Sequence, residues 1–390
     1  MNGFPTVRIV EEGMREGMQI ESADIPVAAK IELLDSLSQT GLGTIVVGSF
    51  VSPRWTPQMA RVDEVVSGFT PRAGVTYTGL ALNEKGRERM AQHTPPLTLP
   101  SAVPRTLVHL CDVFVRRNTN RSQIDEVMGW PDIVRRAVED GATTAEIAIN
   151  AAWGSNWLGL FDQSYRMDML ERQARLWEQA GVTVDRVWIG DPMAWNTPWA
   201  VKAQLEAIVK RWPGITTFHL HLHDARGTAL LSAYEAILAL GPQHTLVIDT
   251  SVGGMGGCPY GGHGRMTKMI PTEDLVNLLD DMGIPTGVDL DRLIETAHLA
   301  ERVVGHPLYG HVSKAGARPR GAQLYAMDMP FIETEHQAQH FRLGAQAYAD
   351  ASSPWAAPIT SRIRDAVERG EDPGIAAMNA LDWEEPLKPV

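Results

Sequence analysis

The residues with the plainest chemical potential are His219, His221 and His223, in the run Phe218-His219-Leu220-His221-Leu222-His223-Asp224. Side chains alternate faces along an extended strand, so the imidazoles share one side while Phe218, Leu220 and Leu222 share the other. Asp224 and Gly227 end the strand and leave His221 and His223 at its C-terminal mouth. Two imidazoles spaced this way can each offer a ring nitrogen to one ion, which makes half of a metal site. A polar strand face satisfied by water and backbone fits the same pattern, and the run by itself leaves both open.

Around this run the chain repeats a short apolar stretch, a loop and an amphipathic helix. Strands are expected at 7–11, 44–49, 75–79, 106–111, 144–149, 186–190, 217–221 and 246–251. Pro26 stands in the first turn of one helix that Gly41 closes, and Ser122 caps another that Pro131 is expected to break. Thr197-Pro198 and Thr272-Glu273-Asp274 begin two more. Eight strands alternating with helices predict an α/β fold, a parallel sheet closed as a (β/α)8 TIM barrel. An open doubly wound sheet ranks second, because no Gly-rich phosphate turn follows the first strand. The beat stops near residue 315, so a catalytic domain at 1–315 is followed by a proline-rich extension at 316–390. That extension is expected to pack on the barrel or on a partner subunit, with a mobile tip from Trp383.

Bulk properties narrow the function. An apolar fraction of 44% and a charged fraction of 21% suit a soluble globular protein, and a net charge of −12 argues against a general nucleic-acid or membrane-surface binder. Two cysteines, Cys111 and Cys258, give no disulfide framework and no cysteine-rich zinc site. No basic stretch leading into an apolar core opens the chain, and no apolar run is long enough to span a bilayer, so a cytoplasmic location is expected.

A barrel carries its chemistry at the C-terminal ends of its strands. The first strand is followed by Glu11-Glu12-Gly13-Met14-Arg15-Glu16-Gly17-Met18-Gln19, the second by Ser49-Phe50-Val51-Ser52-Pro53, and the sixth by Gly190-Asp191. The eighth is followed by a loop with seven glycines in the twelve residues from Gly253 to Gly264, which also carries Cys258 and His263. Such a loop can approach a ligand closely or move as a lid. His109, Cys111 and Asp112 end the fourth strand as pocket lining at most.

These motifs, in this order, resemble the hydroxymethylglutaryl-CoA lyase family, part of a metal-dependent lyase/synthase superfamily on a TIM barrel. The resemblance spans roughly residues 6–305, with Trp55, Pro57-Gln58-Met59, Gly256-Gly257-Cys258-Pro259-Tyr260 and Thr272-Glu273-Asp274-Leu275 adding to it. It implies a carbon–carbon lyase that cleaves a 3-hydroxyacyl-CoA thioester with Mg²⁺ or Mn²⁺. It implies Glu16, His221 and His223 as metal ligands, and Arg15 as the group that binds the thioester carbonyl and stabilises the enolate. Asp191 and Cys258 are the implied proton-transfer candidates, and Gln19 an orienting and substrate-binding group. A fixed guanidinium beside a developing oxyanion is typically worth ~3 kcal/mol.

Three departures stand out. The family's acidic ligand is aspartate, whereas Glu16 is one methylene longer. The family's glutamate on the second strand is Val46 here, and the longer Glu16 or the extra Glu12 is expected to fill the vacated space beside Arg15. The family's asparagine ligand is missing: counting forward from Cys258 reaches Thr267 and counting back from Thr272 reaches Met269, with His263 as the expected replacement ligand. Trp153, Trp157, Trp188, Trp195 and Trp199 cluster after strands five and six and suggest a bulkier acyl group. A condensing synthase acting on acetyl-CoA and a 2-oxo acid is the first alternative, and a non-catalytic ligand-binding barrel the second. The expected partners are an acyl-CoA substrate and further copies of the chain, with a dimer favoured, and no nucleic acid or membrane.

Overall fold

The computed structural model describes residues 3–99, 103–258, 260, 268–372 and 374–375. Contacts divide the chain into two units, Met1–Ala315 and Gly316–Val390. The first is the barrel. Its strands are β1 (Thr6–Glu11), β2 (Thr44–Ser49), β3 (Thr76–Leu80), β4 (Arg105–His109), β5 (Thr144–Asn150), β6 (Thr183–Asp191), β7 (Thr217–Leu222) and β8 (Thr245–Thr250). They form one parallel sheet in the order β3-β2-β1-β8-β7-β6-β5-β4. Chain order is therefore kept around the sheet and β8 lies beside β1, the topology of a TIM barrel.

Alternation explains each strand. On β7, Phe218, Leu220 and Leu222 are fully buried in the layer between sheet and helices, while His219 and His221 take the inner face. Helices follow the strands and cover the outer face: α1 (Val27–Ser38), α2 (Val62–Gly68), α3 (Glu84–Ala91), α4 (Asp112–Thr119), α5 (Gln123–Glu139), α6 (Gln163–Gln179), α7 (Pro198–Arg211), α8 (Ala229–Ala239), α9 (Thr272–Asp281) and α10 (Leu290–Val304). Proline at the first position of α7 and a Ser122–Asp125 capping box on α5 start their helices as their residue types require.

Pro131 does not break α5, contrary to expectation: the helix runs through it. Its buried face, Trp130, Val134 and Ala137, packs against the sheet and outweighs the local cost of ~3 kcal/mol. A short helix, α4, also precedes α5.

Among the described residues the ladder is open between β3 and β4. The free edge of β3 accepts from Thr98 N at Tyr77 O, 2.7 Å. The free edge of β4 is met by side chains of α5: Trp130 Nε1 donates to Leu107 O at 2.9 Å, and Gln123 Nε2 to His109 O at 2.6 Å. Glu126 Oε2 accepts from His109 N at 2.9 Å. Strand-edge groups that lack a neighbouring strand are thus paired all the same.

The second unit is short helical turns joined by irregular chain, with α-helical segments at His340–Leu343 and Arg362–Glu368. Arg364 Nη1 donates to Tyr325 O at 3.0 Å, and the Tyr325 and Tyr348 rings both pack on His340. The segment from Trp383 lies outside the described residues.

Candidate functional site

Three strand ends converge. The turn after β1 winds Gly13–Gly17 into a single wide helical turn that points Arg15 and Glu16 toward the mouth of β7. There Glu16, His221 and His223 bring one potential ligand atom each within 4.8 Å of one another, and all three residues are buried. The Nε2 atoms of His221 and His223 face each other at 3.3 Å, and Glu16 Oε1 lies 3.7 Å from His223 Nε2.

β8 supplies the partner that orients this group. Asp249 Oδ2 lies 2.8 Å from His221 Nδ1, and Oδ1 lies 2.6 Å from His219 Nε2. With Nδ1 of His221 held by a carboxylate, its Nε2 is the free donor atom. Burial works against a charged His221, but the hydrogen bond to Asp249, the Asp249 charge and the Glu16 charge together outweigh it and raise the pKa. Burial lowers His223 to about 3, with the His221 charge adding to the effect and Glu16 opposing it. Burial alone would raise Glu16, yet Arg15, His223 and His221 outweigh it and hold the carboxyl below its usual range. An ionised carboxylate and two facing imidazole nitrogens form a donor set that fits a divalent cation.

Arg15 is fixed between two acids. Its Nε donates to Glu12 Oε2 at 2.7 Å and its Nη1 donates to Glu16 Oε2. Burial opposes its charge, but Glu12 and then Glu16 raise its pKa above the usual arginine value. Val46 on β2 is buried and offers no charge, so the carboxylates that hold Arg15 come from its own loop.

The remaining candidates are dispersed. Gln19 Oε1 accepts from Ser49 Oγ at 3.5 Å, at the end of β2. Asp191 is fully buried, and its Oδ2 accepts from Asn196 N at 2.6 Å and from Asn196 Nδ2 at 2.7 Å. Among the described residues Oδ1 has no hydrogen-bond partner within normal reach, and burial raises the carboxyl to about 6. Cys258 lies in a buried cluster with Cys111, Phe114, Ala151 and Met193. His263 lies outside the described residues. Met269, reached by counting back from Thr272, is fully buried and bridges His223 through its backbone.

The five tryptophans do not line one wall. Trp188 stacks on His221 with ring centroids 5.9 Å apart, Trp153 is buried against Arg166, and Trp199 is 72% exposed. Trp195 donates from Nε1 to Asn156 Oδ1 at 3.0 Å, and Trp157 packs on Tyr260. Reading residue types alone missed Asp249. Its signal was parity: on β8 it shares the inner face with Val247, at the height where ligands converge.

A family model described as HMGL-like matches residues 6–300. Mitochondrial hydroxymethylglutaryl-CoA lyase of Gallus gallus is 33% identical over 319 residues, 81% of this chain and 99% of that protein. A Pseudomonas aeruginosa protein named 3-hydroxy-3-isohexenylglutaryl-CoA/hydroxy-methylglutaryl-CoA lyase is 34% identical over 317 residues, 81% of this chain and 98% of its own length. Among solved structures, an HMG-CoA lyase from Acinetobacter baumannii in complex with coenzyme A and 3-methylmalate superposes with a TM-score of 0.65. It is 27% identical and covers 82% of this chain and 97% of its own.

Proposed function

The chain belongs to the HMGL-like family and is a carbon–carbon lyase of the hydroxymethylglutaryl-CoA lyase type; from that premise we propose that it cleaves a 3-hydroxy-3-substituted glutaryl-CoA thioester with Mg²⁺ or Mn²⁺ bound by Glu16, His221 and His223. The observation that carries this reading is the convergence of those side chains beside a guanidinium locked by Glu12. Glu16, His221 and His223 would hold the cation, which would supply a Lewis acid that polarises the substrate and eases loss of its hydroxyl proton. Arg15 is aimed by two carboxylates and donates to the thioester oxygen as the C2–C3 bond breaks and its electron pair moves into the enolate. The 3-hydroxyl gives up its proton and becomes a carbonyl, and C2 takes one up to give the smaller acyl-CoA.

Asp191, buried and raised to about 6, suits proton transfer at one of these atoms, and Cys258 suits the other. Gln19 braces the loop against Ser49. His263 is kept as a further ligand candidate, for which metal content of a His263→Ala variant is the test.

The acyl substituent is the finer question. The Pseudomonas relative's name pairs a branched isohexenyl substrate with the methyl one, and we favour a substituent larger than methyl. The deciding experiment supplies Mn²⁺ and hydroxymethylglutaryl-CoA with bulkier 3-substituted analogues, and reads acyl-CoA and 3-oxo acid products. Cleavage of a bulky analogue with higher kcat/KM supports the finer reading; preference for the methyl compound removes it. Release of free CoA from acetyl-CoA and a 2-oxo acid would instead favour condensation. No helix among the described residues is long and apolar enough to cross a membrane, and we propose a cytoplasmic homo-oligomer, a dimer, testable by fractionation and light scattering.

A further inference from the structure

Glu11 ends β1, is fully buried and joins three segments of the chain. Its Oε1 accepts from Gly13 N at 2.8 Å, the first residue of the turn that presents Arg15 and Glu16. The same oxygen accepts from Val252 N at 2.9 Å, where the glycine-rich segment leaves β8. Its Oε2 accepts from Thr272 Oγ1 at 2.5 Å, at the start of α9, and Thr272 Oγ1 in turn lies 2.8 Å from Thr250 Oγ1.

The two loops joined at Oε1 also press closely together at their glycines. A Cβ on Gly13 would fall 2.6 Å from Glu11 Oε1 and 3.1 Å from Val252. One on Gly17 would fall 3.0 Å from Met255, and one on Gly256, whose φ is +100°, 3.0 Å from the backbone of Glu16. The loop carrying Glu16 and the loop leading to Cys258 are therefore closely fitted, backbone against side chain at Gly13 and Gly17 and backbone against backbone at Gly256, and a single carboxyl oxygen ties both at their roots. A buried carboxyl that opposes its own desolvation with three donors is costly to keep unless its geometry matters.

Building on the lyase reading above, we propose that Glu11 is a positioning residue: it locks the β1 loop to the β8 turn so that Glu16 meets the two imidazoles, and Arg15 and Cys258 keep one register. Its job is to couple two loops, and the hydroxyl contact to Thr272 serves only to anchor the carboxyl.

The test compares Glu11→Ala, Glu11→Asp, Glu11→Gln and Thr272→Val in the full chain, with folding checked by circular dichroism. Deuterium uptake is followed for peptides spanning 12–19 and 252–258, and Mn²⁺ affinity is measured by calorimetry without substrate. Glu11→Ala and the shorter Glu11→Asp are expected to speed uptake in both peptides together and to weaken Mn²⁺ binding tenfold or more. Glu11→Gln keeps an oxygen for both N–H groups and should rescue both readouts to within about threefold of the native protein. Thr272→Val should lower the melting temperature while leaving Mn²⁺ affinity unchanged.

Uptake that rises in one peptide only, or a Thr272→Val variant that loses as much Mn²⁺ affinity as Glu11→Ala, overturns the coupling. Should Glu11→Ala fail to fold, Glu11→Asp decides: native uptake in both peptides overturns the coupling, and joint loosening supports it. A protein that cleaves no hydroxyacyl-CoA refutes the lyase reading, and one that binds no Mn²⁺ refutes the ligand assignment. Paired uptake still decides the coupling in either case.

Discussion

Two histidines at strand ends, three strands apart in the barrel, are paired in the same way. On β7, His221 Nδ1 meets Asp249 at 2.8 Å; on β4, His109 Nδ1 meets Glu126 at 2.7 Å. What the rest of each carboxylate does separates them. The second oxygen of Asp249 goes to another inward imidazole, His219, so the pair is built into a row of ring nitrogens facing Glu16. The second oxygen of Glu126 goes to the backbone N–H of His109, which the open ladder leaves without a strand partner. Gln123, Glu126 and Trp130 lie three and four apart on one face of α5, and together they repair the edge of β4. A histidine–carboxylate pair therefore marks chemistry only where other ligand atoms converge on the free nitrogen; elsewhere it closes a sheet.

The largest effects should separate these sides. His223→Ala removes a donor from the converging set and is expected to abolish Mn²⁺ binding and lower kcat by ~10³-fold or more, whereas His109→Ala should leave Mn²⁺ affinity at the native value. Equilibrium dialysis and turnover on the same preparations read both. Arg15→Met should lower kcat by ~10²-fold to ~10³-fold, the range of a lost oxyanion donor. Native turnover in that variant would remove Arg15 from the chemistry.

The carboxylates offer a finer comparison. Asp249→Asn should weaken Mn²⁺ binding ~10-fold to ~100-fold, since the amide no longer fixes His221 as the carboxylate does. Glu126→Ala strands a buried backbone N–H and should cost about 2 kcal/mol of stability in urea unfolding, with Mn²⁺ affinity intact. If Glu126→Ala weakened metal binding as much as Asp249→Asn, the two sides would be one network and the contrast would fail.

The strands were legible because a sheet covered on both faces writes itself as short apolar runs: all eight expected strands appear, displaced by at most three residues at an end. The imidazole pair was legible through period two. Asp249 was hidden in Leu246-Val247-Ile248-Asp249-Thr250, where one acid after three apolar residues looks like an ordinary strand end. For the space left by Val46 beside Arg15, Glu16 or Glu12 was anticipated, and both bond to Arg15. The repair of β4 was invisible, since Gln123, Glu126 and Trp130 read as any amphipathic helix until the missing strand contact is known. Pro131 misled for the same reason: propensity is local, and the packing that overrides it is not. The tryptophans were close in sequence but divided in space.

The side that gathers ligands also buries acids, and this predicts a pH dependence. Glu273, at the start of α9, is fully buried; one oxygen accepts from Gly253 N at 3.0 Å and the other has no partner among the described residues. Burial raises its carboxyl from 4.5 to about 8. Below pH 4.5 it is protonated whether folded or not, so burial costs no ionisation. Between 4.5 and 8 the unfolded chain releases the proton while the folded chain keeps it, so stability falls as pH rises and levels off above 8. The slope contributed by this one group is at most about 1.4 kcal/mol per pH unit. Glu273→Gln keeps an oxygen for Gly253 N and removes the titration, so urea unfolding of the variant between pH 5 and 8 should show a shallower decline than the native protein. An unchanged decline would mean that Glu273 is ionised in the folded state, and that the root of the glycine-rich segment holds a charge rather than a neutral acid.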